Sequence, residues 1–230
     1  GRRVANALIG AAQRGVICRL LIDSFASKRA ICELAPQMRA AGVEVVEVLP
    51  ASLLRPWKIR FDLRNHRKIA VIDGRIGYVG SQNIVNADFK RGIIYKELVA
   101  RVTGPAVLQL QAVFLTDHYM ETEQEEHDDG IFVAPATTGA SPVQVLPSGP
   151  GYPYAGNLKL IVALIHAAQE RVVITTPYFI PDVSLLQAIQ SAALRGVKVH
   201  LIVSKHADQI LVGLAQRSFY EELLEAGVKM

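Results

Sequence analysis

Two stretches of this chain repeat one another. Residues 11–22, beginning Ala11-Ala12-Gln13-Arg14-Gly15-Val16, match residues 192–203, beginning Ala192-Ala193-Leu194-Arg195-Gly196-Val197, with six of twelve positions identical at an offset of 181. Ala41-Gly42-Val43-Glu44-Val45 then matches Ala226-Gly227-Val228-Lys229-Met230 at an offset of 185. Each copy reads as a helix closed by glycine, which takes the left-handed cap, followed by an apolar strand. The run 16–22 is nearly continuous in apolar residues and suits a strand buried on both faces. Two matched blocks in the same order point to a duplicated α/β unit, so the 230 residues read as two halves.

The remaining segments follow the same alternation. A helix is expected over 28–40, with Pro36 a threat to its regularity, and a strand over 43–48. Strands over 68–72 and 76–80 are joined by Asp73-Gly74, a hairpin turn pair. A strand over 97–102, a helix over 106–123, a helix over 158–169, a strand over 172–176 and a helix over 184–194 complete the reading. Residues 130–157, rich in Pro, Gly, Ser and Thr, read as a linker. Domain bounds of 1–129 and 158–230 follow. With 25 basic and 21 acidic residues the net charge is +4, which permits anionic partners without choosing one. Cys18 and Cys32 are too few for a disulfide framework or a zinc site and are expected to be buried thiols. The six acids between Glu121 and Asp129 lack ligand spacing and read as a solvated helix end. The longest uncharged stretch, 130–158, is broken by Pro and Gly and does not suit a membrane helix.

Chemistry concentrates between His66 and Asn83. His66 and Lys68 are two apart, so on a strand they share a face. A titratable nucleophile beside a cation suits an anionic substrate. The turn at Asp73-Gly74 brings the chain back towards His66, and Gly80-Ser81-Gln82-Asn83 then lies at a strand end, where hydroxyl, amide and backbone N–H groups can hold phosphate oxygens.

The spacing His66-x-Lys68-x4-Asp73-x6-Gly80-Ser81-x-Asn83 is that of the phospholipase D superfamily, and six fixed positions over eighteen residues make a strong match. The blocks around residues 63–68, 95–97, 102–107, 147–150, 176–182 and 218–228 are similar to those of bacterial cardiolipin synthases. This resemblance covers essentially the whole chain. It implies a phospholipase D-like α/β fold, a mixed β-sheet flanked by helices in two pseudo-repeated halves. It also implies transfer of a phosphatidyl group between two phosphatidylglycerol molecules through a phosphohistidine, with no cofactor or metal. His66 would belong to the catalytic pair of histidines, one nucleophile and one proton carrier. Lys68 would stabilise the non-bridging oxygens, and Ser81 and Asn83 would hold them. Asp73 belongs to the same motif, although its place in the turn suits bracing the loop. Glu97 falls where relatives carry an acid that orients the histidine. The partners implied are anionic phospholipid and a membrane surface, at the bacterial cell membrane, with no nucleic acid.

Other readings remain. A phospholipase D-like nuclease shares the phosphodiester chemistry, and a non-catalytic lipid-binding piece would keep the fold. The basic stretch Arg55, Lys58, Arg60, Arg64, Arg67 and Lys68 reads either as a face for anionic headgroups or as a solvated loop. His118 stands in a helix where relatives usually carry Trp. His166 reads as a packed core residue, His127 lies in the acidic run, and His200 and His206 lack a lysine two residues on. The repeat places a second His-x-Lys near position 251, about 21 residues past Met230, so the chain is expected to be part of a longer protein and inactive alone.

Overall fold

The structure, a computed structural model, describes residues 1–49, 65–125, 130–133, 136–137, 139–149, 152, 155–204 and 210–230. The basic residues from Arg55 to Arg64, and also His127 and His206, lie outside the described residues. The chain divides into two units, Gly1–Gly151 and Tyr152–Met230.

The first unit opens with helix α1 (Arg2–Gln13) and strand β1 (Arg19–Asp23). The strand starts three residues later than expected, because Val16 is still engaged in the helix cap, its N–H donating to the Ala11 carbonyl at 3.1 Å. The helix expected over 28–40 is two helices, α2 (Lys28–Glu33) and α3 (Ala35–Ala40). Pro36 sits in the first turn of α3, where its missing N–H costs nothing, whereas within a continuous helix its ring would strike the carbonyl four residues back. Strand β2 (Glu44–Val48) pairs in parallel with β1 in the register Arg19↔Glu44 to Asp23↔Val48. β1 is half-buried along its whole length rather than buried on both faces, and among the described residues it pairs with β2 alone. Ala5, Cys18, Ala35, Met38, Val43 and Val45 form the core of this region. Cys32 is exposed, contrary to expectation, because α2 has no fully buried residue.

Strands β3 (Ile69–Ile72), β4 (Ile76–Gly80) and β5 (Val99–Thr103) form an antiparallel sheet in that order. Helix α4 (Ala106–Thr122) follows and packs against β2 and against all three strands of this sheet. Val107, Leu110 and Val113 are among its buried residues.

The second unit holds α5 (Gly156–Ala167), β6 (Arg171–Thr176), α6 (Val183–Leu194), β7 (Lys198–Val203), α7 (Ile210–Arg217) and α8 (Tyr220–Glu225). Asp182 caps α6, its carboxylate accepting from the Leu185 N–H at 2.8 Å. β6 and β7 pair in parallel, and Ile189, Leu201, Leu223 and Val228 centre a separate core. His166 is exposed rather than packed, because the buried face of α5 is carried by its neighbour Ile165 and a helix turns about 100° per residue. The described strands thus make three small sheets, not one mixed sheet, within a mixed α/β fold.

The repeated blocks adopt repeated geometry. The Gly15 N–H donates to the Ala12 carbonyl and the Gly196 N–H to the Ala193 carbonyl, each at 2.9 Å. Gly15 and Gly196 have φ of 88° and 87°, and Gly42 and Gly227 both have 91°. The residues matching Arg19 and Glu44 by the two offsets are His200 and Lys229, and these form a parallel bridge just as Arg19 and Glu44 do.

Candidate active site

The site is built on the β3–β4 hairpin. Asp73 and Gly74 both have positive φ, 52° and 62°, and the Arg75 N–H donates to the Ile72 carbonyl at 3.0 Å. Aspartate tolerates this conformation better than most residues and glycine adopts it freely, so the pair reverses the chain tightly. Ile69 pairs with Val79, and the Gly80 N–H lies 3.4 Å from the Lys68 carbonyl. The two ends of the His-to-Asn motif therefore meet at the open end of the hairpin.

β5 closes this end. The Ser81 N–H donates to the Leu98 carbonyl at 2.9 Å, and the Leu98 N–H donates to Ser81 Oγ at 3.0 Å. Ser81 Oγ donates in turn to Glu97 Oε2 at 2.5 Å. Lys68 Nζ donates to the main-chain carbonyl of His66 at 2.6 Å. Burial pulls the Lys68 ammonium below its ordinary pKa, and the Glu97 carboxylate partly offsets this by favouring the charged form. Lys68, Ser81 and Glu97 thus form one cluster, and His66 stands beside it, exposed. Asn83 is exposed two residues past Ser81. Glu97 is engaged with Ser81; a bond from it to His66 is not part of this arrangement. Asp73 is at the opposite end of the hairpin, at most roughly 16 Å along the strand from Lys68 at about 3.3 Å per residue.

The three-residue stretch centred on His66 is held by a residue that inspection of the motif does not reveal. Asp117 on α4 accepts from Asn65 Nδ2 at 2.8 Å and pairs with Arg67 Nη1 at 3.3 Å. The Arg67 N–H donates to Asn65 Oδ1 at 2.9 Å. Burial raises the Asp117 pKa, while the Asn65 hydrogen bond and the Arg67 charge pull it back towards the ionised form. The side chains on either side of His66 are thus anchored to one helix, and His66 itself remains accessible. The available signal was alternation: if His66 and Lys68 share one face, Asn65 and Arg67 share the other. Asp117→Ala is expected to cost about 1.5–3 kcal/mol, the worth of hydrogen bonds to a charged group, because it removes the acceptor that Asn65 and Arg67 share. A thermal melt checks this, and an unchanged midpoint would refute it.

The next residue, His118, is fully buried. Its Nε2 lies 2.8 Å from Glu44 Oε1 on β2, and Glu44 also pairs with Arg19 at 3.2 Å. One turn on, Glu121 accepts from the Leu49 N–H at 3.2 Å. His118 therefore ties α4 to β2.

Comparison with known proteins matches residues 1–117 and 161–230 to the family described as "Cardiolipin synthase, PLD-like domain". The chain belongs to that family. Cardiolipin synthase A of Pectobacterium carotovorum is 41% identical over 237 aligned residues, and that of Erwinia tasmaniensis is 42% identical over 236. Both alignments cover 99% of this chain but only 49% and 48% of the relatives, so the PLD-like chain spans about half the length of the curated proteins it matches. In fold it resembles the crystal structure of polyphosphate kinase from Porphyromonas gingivalis, with a TM-score of 0.53 at 17% identity, over 87% of this chain and 28% of that one. Among the described residues no helix is long and apolar enough to cross a membrane.

Proposed function

We propose that the full-length protein transfers a phosphatidyl group from one phosphatidylglycerol to another at the bacterial cell membrane, releasing glycerol and forming cardiolipin. The observation that carries this reading is the complete motif around a clustered ammonium, hydroxyl and carboxylate, with an accessible histidine beside it. His66 is one of two catalytic histidines, and the other comes from a second copy of the motif. This follows from a duplicated protein, a reading supported by the matched caps and matched bridge of the repeated blocks. One imidazole nitrogen attacks phosphorus while the bond to the glycerol oxygen breaks, and the other histidine gives that oxygen a proton. The hydroxyl of the second phosphatidylglycerol then surrenders its proton to the same histidine and attacks phosphorus, and the P–N bond breaks. Lys68, Ser81 and Asn83 hold the non-bridging oxygens through both steps. Asp73 fixes the turn. Glu97 sustains the charge on Lys68 and, once substrate displaces it from Ser81, orients His66.

Purified full-length protein given phosphatidylglycerol should yield cardiolipin and glycerol in equal amounts, with no cleavage of DNA. Release of phosphatidic acid alone, or cleavage of DNA instead, would overturn the reading. The 230-residue chain by itself should give no turnover.

The charge pairing makes a pH prediction. Lys68 is useful only while protonated, so activity is present below its pKa and lost as pH rises through it. Burial moves that loss to lower pH than an ordinary lysine would show, and Glu97 opposes the shift. Glu97→Gln removes the opposing charge and should move the alkaline limb of kcat/KM to still lower pH. A limb that stays in place would show that Glu97 does not support Lys68.

A further inference from the structure

We propose that the loop between Ser81 and Leu98 docks the site onto the surface of an anionic bilayer, its apolar side chains entering the interface and its cations meeting lipid phosphates. This rests on reading the site as one for a phospholipid. The loop holds sixteen residues, 82–97, and its two ends are pinned together by the hydrogen bonds between Ser81, Glu97 and Leu98. It is internally ordered: the Tyr95 N–H donates to the Ala87 carbonyl at 2.8 Å, and the Phe89 and Tyr95 rings stack at 4.9 Å. An ordered loop with closed ends normally packs its own apolar side chains. This one presents them instead. Within the loop Ile94 is 72% exposed, Ile84 55% and Phe89 53%, and Leu98, where the loop ends, is 80% exposed.

The loop also carries Lys90, Arg91 and Lys96 against Asp88 and Glu97, and Glu97 is already engaged with Ser81. Large apolar side chains interspersed with lysine and arginine suit a membrane interface, where the apolar parts enter the acyl boundary and the cations stay among headgroups. Geometry favours a bilayer as occupant. The loop is rooted at Ser81, inside the candidate phosphate site. A phospholipid's phosphodiester lies at the boundary between headgroups and acyl chains, so a protein that takes it there must bring the surroundings of Ser81 to that depth.

The test places an environment-sensitive fluorophore on the 230-residue chain through Ile94→Cys in a Cys32→Ser background, with Ile17→Cys, also on an exposed residue, as reference. Vesicles of phosphatidylglycerol and phosphatidylcholine should shift the Ile94 label to the blue and leave the Ile17 label unchanged. Phosphatidylcholine alone should give a much smaller shift. Unlabelled chain carrying Ile94→Asn and Leu98→Asn should co-sediment with the anionic vesicles at least tenfold more weakly. Equal responses at the two labels, or undiminished co-sedimentation of the double variant, would overturn the proposal. A label at Ile94 already blue-shifted in the full-length protein without vesicles would do the same, since another part of that protein then covers the loop. Because none of these measurements reads turnover, a full-length protein that docks this way yet makes no cardiolipin would remove the proposed reaction and leave the docking in place.

Discussion

On the proposed reaction, His66→Ala is expected to reduce turnover of the full-length protein by roughly 10^3-fold or more, whichever of the two proposed roles His66 fills. As nucleophile it forms the bond that divides the transfer into two steps. As proton carrier it must neutralise an alkoxide and then activate an alcohol. The two roles separate in a trapping experiment: without the nucleophile no phosphohistidine forms, whereas without the proton carrier it forms slowly and persists. Stability should move by no more than about 0.5 kcal/mol, because the residue is exposed and the loop is held by Asn65 and Arg67 rather than by the imidazole. A variant that melts normally and retains a tenth of the activity would refute the assignment.

Gly80→Ala should be the most damaging small substitution in the first unit. A Cβ there would lie 2.2 Å from the Leu98 carbonyl oxygen and 2.7 Å from the Val99 Cα. Both are backbone atoms of the neighbouring strand, so no side chain can turn aside to make room. β4 and β5 must part where Ser81 and Leu98 bond, and the Ser81–Glu97 contact goes with them. Overpacking of this kind costs about 3 kcal/mol or more. For a unit of this size that lowers Tm by roughly 6–12 °C. Gly77→Ala is the control. Its Cβ would meet Leu110 Cδ1 at 2.6 Å, the tip of a side chain that can change rotamer, and about 1 kcal/mol is expected. Calorimetry on both variants decides. If Gly80→Ala melts within 2 °C of the parent, close strand approach does not explain why the motif carries glycine at this position.

What could be read from the sequence was local. Asp73-Gly74 dictates a reversal by its own backbone preferences, and the structure places the hairpin there. The helix caps at Gly15 and Gly196 are legible for the same reason. Burial of single residues on short helices was harder to read. Cys32 and His166 were expected inside and are exposed, because one step along a helix turns a side chain by about 100° and neither helix declares its phase strongly. Alternation sets Asn65 and Arg67 on the face away from His66, but the identity of their partner, Asp117, was out of reach for a different reason. It acts across 52 residues on Asn65, and nothing in the local spacing of either segment encodes that meeting.

Helix α4 makes three consecutive commitments along one turn. Asp117 holds the loop bearing His66, His118 holds Glu44 on β2, and Glu121 holds the Leu49 backbone. The parallel pair and the antiparallel sheet share no strand among the described residues, so this helix carries what the sheets do not. The first unit therefore behaves as one cooperative folding block. On this arrangement, opening α4 should release both sheets together, and the loop bearing His66 should come loose only with the rest of the unit.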